Sequence, residues 1–258
     1  MTIENKSAMN LKSVFVWLFF LLNGFSATAQ TKNTSHASQV WLAYFNQTRL
    51  NARWGLWGDF QMRTREEFTD HFSTGIARAG ITYLIDDNVR LTMGYGFINH
   101  YPVNAAVTVS QPEHRPWQQV QWFTKNKRTR MMQYIRLEER YRRRYLSNTE
   151  LADSYTFNFR LRYNFLYQIP LHAKGLIPKK LSAIINDELH INFGKQIVNN
   201  YFDQNRFFLG LNYAIDASNN LQFGYLNTFI QTAAGNQYRN INALRIAYFQ
   251  NIDFRKTR

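Results

Sequence analysis

The 258-residue chain contains no cysteine, which excludes disulfide staples, thiolate metal sites and a cysteine nucleophile. Acidic side chains are scarce: 17 Asp and Glu stand against 31 Lys and Arg, for a formal net charge of +14. Beyond residue 30 no apolar run is long enough for a transmembrane helix. No glycine-rich phosphate loop and no zinc-helix motif occurs. What the chain has instead is aromatic side chains: 21 Phe, 15 Tyr and 6 Trp, within a hydrophobic fraction of 45%. That composition excludes a disordered chain. Yet the mean hydropathy is negative, so the apolar residues must be sorted by position, and the period of the sorting decides the fold.

The N-terminus stands apart from the rest. Lys6 and Lys12 precede an apolar run over residues 14–22, and Ala27-Thr28-Ala29 follows it. Basic, apolar and A-x-A segments in that order predict a secretory signal peptide over residues 1–29. An uncleaved anchor or a buried helix is the competing reading, and Met9 is an alternative start. Residues 30–258 then form one exported domain, and any passage through a membrane is by strands.

The remainder counts in twos. From Tyr155 the sequence reads YTFNFRLRYNFLYQ, with Tyr155, Phe157, Phe159, Leu161, Tyr163, Phe165 and Tyr167 on one parity and Thr156, Asn158, Arg160, Arg162, Asn164 and Gln168 on the other. Such alternation is a strand pattern, here long enough to cross a bilayer at a tilt. It recurs over residues 90–97, 185–193, 206–215 and 244–255, and more weakly over 56–63, 77–83 and 135–140. Segments 40–46, 117–125 and 221–231 complete a count of about eleven.

In a soluble sandwich the apolar parity would be diluted by Val and Ile in shorter strands. Here it is Phe- and Tyr-rich, while Arg, Glu and Asn occupy mid-strand positions opposite. The pattern predicts an all-β, antiparallel transmembrane β-barrel with its apolar face on lipid and its polar face in the lumen; a secreted sandwich or soluble barrel is the alternative. Connections also alternate in length: short near Asn51, Asp87, Lys127 and Ser218, and long over 101–116, 146–153, 195–204 and 232–240. Segment 169–180 breaks the rule. Because bacterial single-chain barrels have even strand numbers, the expectation is twelve strands, with ten as the next choice and residues 103–109 as a weak candidate for the missing one.

Several segments carry a family resemblance. They are Trp54-Gly55-Leu56 with Gln61-Met62-Arg63, Arg78-Ala79-Gly80-Ile81-Thr82-Tyr83, Gly94-Tyr95, and Glu113-His114-Arg115-Pro116-Trp117-Gln118-Gln119. Further along come Arg136-Leu137-Glu138-Glu139-Arg140, Arg160-Leu161-Arg162-Tyr163, Asp187-Glu188-Leu189, Asn205-Arg206 with Leu209-Gly210, and Gly224-Tyr225-Leu226. In this order, from about residue 38 to the C-terminus, the chain resembles the Bacteroidetes-type outer-membrane barrel family catalogued as domain of unknown function 2490. The resemblance implies an exported barrel of a Gram-negative outer membrane and no assigned activity.

The inward parity collects Asp59, Arg63, Arg78, Arg136, Glu138, Arg140, Arg160, Arg162, Glu188, His190, Arg206 and Arg245. The favoured expectation is a set of Arg–carboxylate pairs bracing the barrel from inside, because unpaired charge in a confined site is expensive. The sharper one is a porin-like lumen whose Arg surplus favours small anionic solutes; replacing Arg160 and Arg162 together separates a change in anion selectivity from a loss of folding. A ligand- or partner-binding site in the lumen or in the external loops, 101–116 first among them, is the alternative function.

A lipid-hydrolysing barrel is disfavoured, since His190 and Asn192 lack a Ser at the spacing that reaction needs. Glu188 and His190 are too few to hold a metal, and no cofactor is expected. Export argues against nucleic acid as the partner of the basic clusters at 125–130 and 142–144. Those clusters are expected at the membrane rim, where Arg142 to Arg144 meet lipopolysaccharide if that strand ends outside. Membrane lipid and, during insertion, the barrel assembly machinery are the remaining expected partners.

Overall fold

A computed structural model describes residues 32–66, 68, 70–102, 104–126 and 128–255; the expected signal peptide lies outside them. Period-two sequence becomes eleven strands: β1 (Asn33–Arg49), β2 (Trp54–Glu66), β3 (Asp70–Leu84), β4 (Val89–His100), β5 (Gln111–Lys125), β6 (Arg130–Tyr145), β7 (Leu151–Pro170), β8 (Leu181–Phe193), β9 (Phe202–Ala214), β10 (Asn219–Gln231) and β11 (Gln237–Asp253). Each pairs antiparallel with the next, and β1 pairs β11 to close the barrel.

The expectation of twelve strands is therefore corrected to eleven among the described residues. Residues 104–110 are turn and irregular backbone rather than a further strand, and Val103 lies outside the described residues. The expectation of an even count assumed that all neighbours run antiparallel. In an odd meander the first and last strands run the same way, so the seam is parallel. Its register is continuous from Asn33↔Gln237 to Arg49↔Asp253. A parallel ladder satisfies backbone groups as an antiparallel one does, with slanted bonds, and closure removes both edges. The odd count also puts the start of β1 and the end of β11 at opposite ends of the barrel.

The connections sort by end. At the end where β11 finishes they are short, and three are built alike. Asn51 Oδ1 accepts from the backbone N–H groups of Arg53 and Trp54, both at 2.9 Å. Asp86 Oδ1 does the same for Asn88 and Val89 at 2.6 and 2.7 Å, and Asp216 Oδ1 for Ser218 and Asn219 at 2.7 and 2.8 Å. An Asx side chain that satisfies the backbone of its own turn is why such turns need only four residues. The Asn219 side chain and the Ser218 N–H hold the Asp216 carboxyl below its ordinary value. The long exception at this end is 171–180, as the sequence indicates.

Polarity is distributed inside out. Leu56, Phe60, Ile81, Met93, Leu161, Leu209, Tyr225 and Leu244 point outward and are exposed, whereas Asp59, Glu113, Arg136, Glu138, Arg160 and Glu188 are buried. Soluble proteins do the reverse with charged side chains.

The parallel seam is directly testable. Leu42 and Ile246 face each other across it, within the Cα separation a disulfide accepts. In the cysteine-free chain, Leu42→Cys with Ile246→Cys should cross-link on oxidation, read by peptide mass spectrometry. An intervening twelfth strand would prevent the link.

Candidate functional site

Strands β5 to β8 carry three buried carboxylates inward, and each is shared by several guanidinium groups. Glu113 accepts from Arg115 Nε at 2.8 Å, Arg140 Nε at 2.9 Å and Arg142 Nε at 3.0 Å, with His100 Nε2 at 3.1 Å. Glu138 receives Arg160 Nη2 at 2.6 Å and Arg162 Nη1 at 2.7 Å, with Arg115 Nη1 at 3.5 Å. Glu188 receives Arg162 Nη2 at 2.5 Å and the Tyr134 hydroxyl, while His190 Nε2 lies 3.0 Å from its other oxygen. Arg162 thus bridges two carboxylates. Asp203 joins the set by accepting from Arg160 Nη1 at 2.8 Å. On β2 and β3, Asp59 and Arg78 form their own pair, Nε to Oδ2 at 2.9 Å.

These positions follow from register. Glu113 faces Arg142, Glu138 faces Arg160 and Glu188 faces Arg206 across successive ladders, so each carboxylate meets an arginine in register, whereas Arg136 and Arg162 face each other. Asp203 is inward because of an irregularity. The β8–β9 register shifts between His190 and Ile191, leaving Asp203 as an extra residue, and both Asp203 and Gln204 are buried. Bulges re-aim side chains in this way.

Arg136 is held differently. Its Nε donates to Gln119 Oε1 at 2.9 Å, and its guanidinium lies 4.3 Å from the Trp117 ring centroid, 5.3 Å from Tyr134 and 5.8 Å from Trp57. The Trp117 indole fits because its register partner on β4 is Gly94; a Cβ there would come within 2.7 Å of the ring.

Facing this charged wall is an apolar one. Trp41, Ile184, Phe208, Leu226 and Ala243 form a buried cluster on β1 and β8 to β11, with Leu166 packed against it. Between the walls lies a cavity of about 1130 Å³, whose lining reaches Asp87 and Asp216 at the short-turn end and Glu66 and Ala233 at the other. Eight strands enclose about enough room for side chains to fill; eleven leave space that the charged wall does not occupy.

The structure places all twelve residues named from the sequence on the inward parity, in different relations. Arg78 and Asp59 pair; Arg140, Glu138, Arg160, Arg162, Glu188 and His190 belong to the shared network. Arg63 and Arg245 lie on or beside the apolar wall, and Arg206, the register partner of Glu188 at 3.7 Å, adjoins both. Glu113, Arg115 and Asp203 escape the sequence reading because they fall inside segments taken as loops. In β5 the reason is Pro116, which lacks an N–H for the ladder; the β5–β6 register skips from His114 to Trp117, and the alternation is unreadable there. Yet Glu113 and Arg115 keep the parity of Trp117, Gln119 and Gln121, which was the available signal. Arg142, expected at the rim against lipopolysaccharide, turns inward to Glu113 instead, because the same parity carries it there. Arg143 pairs with Asp153. Among the described residues no three His, Cys, Asp or Glu side chains assemble into a metal cluster.

Residues 38–239 match the family described as protein of unknown function (DUF2490). No curated protein and no solved structure matches the chain.

Glu138 is shared by Arg115, Arg160 and Arg162. Glu138→Gln leaves Arg160 and Arg162 without their common partner and should cost about 3–5 kcal/mol, read as a lowered urea midpoint. Arg63→Gln, which breaks no ion pair among the described residues, should cost less than about 1 kcal/mol and move that midpoint correspondingly little. Equal midpoints for the two variants would contradict the assignment.

Proposed function

We propose that this chain, which belongs to the DUF2490 family of proteins of unknown function, is an outer-membrane β-barrel with no covalent chemistry of its own and a lumen that favours small anions. The observation that carries this reading is the inverted partition of side chains, an exposed belt of Leu, Ile, Phe and Tyr around a buried set of Arg and carboxylates. Lipid solvates such a belt, whereas water does not at this extent. The basic, apolar and A-x-A order of residues 1–29 supplies the export route. By the barrel rule the long connections face outward from the cell and the end of β11 faces the periplasm. Membrane lipid, lipopolysaccharide around the outer rim and the assembly machinery during insertion are the partners this reading entails.

Selectivity is assigned to the arginines that the carboxylates leave over. Arg160 and Arg162 are neutralised by Glu138, Glu188 and Asp203, so their removal acts on folding. Arg63 and Arg245 have no carboxylate partner among the described residues, and each donates only at 3.4 Å, to Gln61 and Gln222. They set a positive potential in the cavity, which attracts anions. His190 is held in a structural role on this reading: it is fully buried, lies against Glu188 and meets Gln204 through Nδ1 at 3.1 Å.

The test is electrical. The refolded residues 30–258 should migrate differently boiled and unboiled in detergent gels, and in a planar bilayer under a salt gradient their reversal potential should show chloride preferred over potassium. Arg63→Gln with Arg245→Gln should move that potential toward zero with the gel shift retained. Absence of channel events, or cation preference, would defeat the proposal.

A further inference from the structure

The short-turn end of the barrel holds two arginines that the carboxylate network does not reach. Arg90 lies at the start of β4, Phe123 near the end of β5 and Arg130 at the start of β6. The Phe123 N–H donates to the Asn88 carbonyl of the neighbouring turn, which ties the ring to this mouth. The guanidinium carbon of Arg90 lies 4.5 Å from the centroid of that ring, and the guanidinium carbon of Arg130 lies 4.4 Å from it. One ring therefore carries two cations. All three residues are half-buried, and all three line the cavity.

Neither cation is neutralised. The charges near enough to act on Arg90 are those of Arg130 and Arg49, and Arg49 is spent on Asp87 at 2.6 Å. Among the described residues no carboxylate acts on Arg130. Arg90 uses Nη1 on Gln47 Oε1. Of the nitrogens that remain, only Arg130 Nε is shut off from solvent, so both Nη groups of Arg130, together with Nε and Nη2 of Arg90, open onto the cavity. Two like charges on one ring repel, and cation–π attraction offsets that only in part. An anion between the open N–H edges removes the repulsion and takes charge-assisted hydrogen bonds from both.

The arrangement also selects among anions. A carboxylate presents two oxygens in one plane, which a single guanidinium fork occupies. A phosphate group spreads its acceptor oxygens tetrahedrally and carries close to two charges, so forks arriving from two strands each find acceptors. We propose that Arg90 and Arg130 form a phosphate-binding site at the short-turn mouth, which takes inorganic phosphate or the phosphate group of a small monoester, with Phe123 holding the two guanidinium groups in place. The site is separate from Arg63 and Arg245, which stack on Trp41 and Phe208. It adds to a general preference for anions a point at which one kind of anion is retained. The inference rests on the reading of the chain as a lumen-bearing barrel.

The probes are inorganic phosphate, methyl phosphate and acetate, titrated by calorimetry into the barrel held in nanodiscs of zwitterionic lipid. Inorganic phosphate should bind at least about tenfold more tightly than acetate, which serves one fork only. Arg90→Gln and Arg130→Gln should each lower phosphate affinity about tenfold with the boiled-to-unboiled gel shift retained, since neither breaks an ion pair among the described residues. Lys125→Gln removes an exposed rim cation that does not line the cavity, and screening should hold its effect below about twofold. An equal loss from Lys125→Gln would reduce the site to a diffuse positive potential and overturn the proposal. Equal affinity for phosphate and acetate would overturn it too, as would unchanged phosphate affinity in folded Arg90→Gln and Arg130→Gln barrels. Methyl phosphate names the source: binding of both phosphates extends the site to small monoesters, and binding of inorganic phosphate alone confines it to the free ion. The two readings fail separately. A barrel that shifts and conducts anions but ignores phosphate removes this inference alone, and a chain that shows no gel shift removes the barrel reading beneath it.

Discussion

The interior of this barrel depends on the sharing of a few buried carboxylates among many arginines. Glu113, Glu138 and Glu188 are each buried at the centre of several guanidinium groups. A buried ion pair is weak evidence for stability, because desolvation of both charges offsets their attraction. Breaking one is a different matter. With one carboxylate serving several cations, its loss strands all of them at once. The network thus fixes the relative register of β5 to β8 more firmly than backbone ladders alone, since a one-residue slip would turn every member of it outward.

That sharing also explains the shape of the lumen. The acids of the shared network lie on β5, β6, β8 and β9, and among the described residues Arg63 and Arg245 find no carboxylate, while Arg206 has only its long contact to Glu188. They stack on Trp41 and Phe208 instead, where cation–π attraction replaces part of what an ion pair would give. The result is a cavity with a neutralised wall on one side and, on the other, arginines stacked on aromatic rings. A lumen braced throughout would have been solid, and one lined uniformly with unpaired arginine would repel itself.

Much of this was legible in the sequence, and the failures have physical causes. The Tyr155 to Gln168 alternation is unambiguous because β7 has an outward apolar face and buried charge on the other, and all eleven segments read from the chain correspond to strands. The count went wrong only when an even number was imposed, because nothing in a single strand's pattern states how the last one meets the first; Leu42↔Ile246 is a property of closure. Parity puts Arg63 and Arg160 on the same face but does not say that Arg160 is paired with Glu138 while Arg63 meets no carboxylate among the described residues. Pairing depends on cross-barrel distance and on a bulge at Asp203 that no periodicity reveals. Glu113 was lost to Pro116 for a similar reason, since an interrupted ladder looks like a loop.

The division of the arginines into paired and unpaired sets is the central claim, and its most direct test is chemical. Native barrel treated with an arginine-selective dicarbonyl, and mapped by peptide mass spectrometry, should show rapid modification of Arg63, Arg206 and Arg245 with Arg115, Arg160 and Arg162 protected. Uniform reactivity across both sets, or protection of Arg63 and Arg245, would contradict the account.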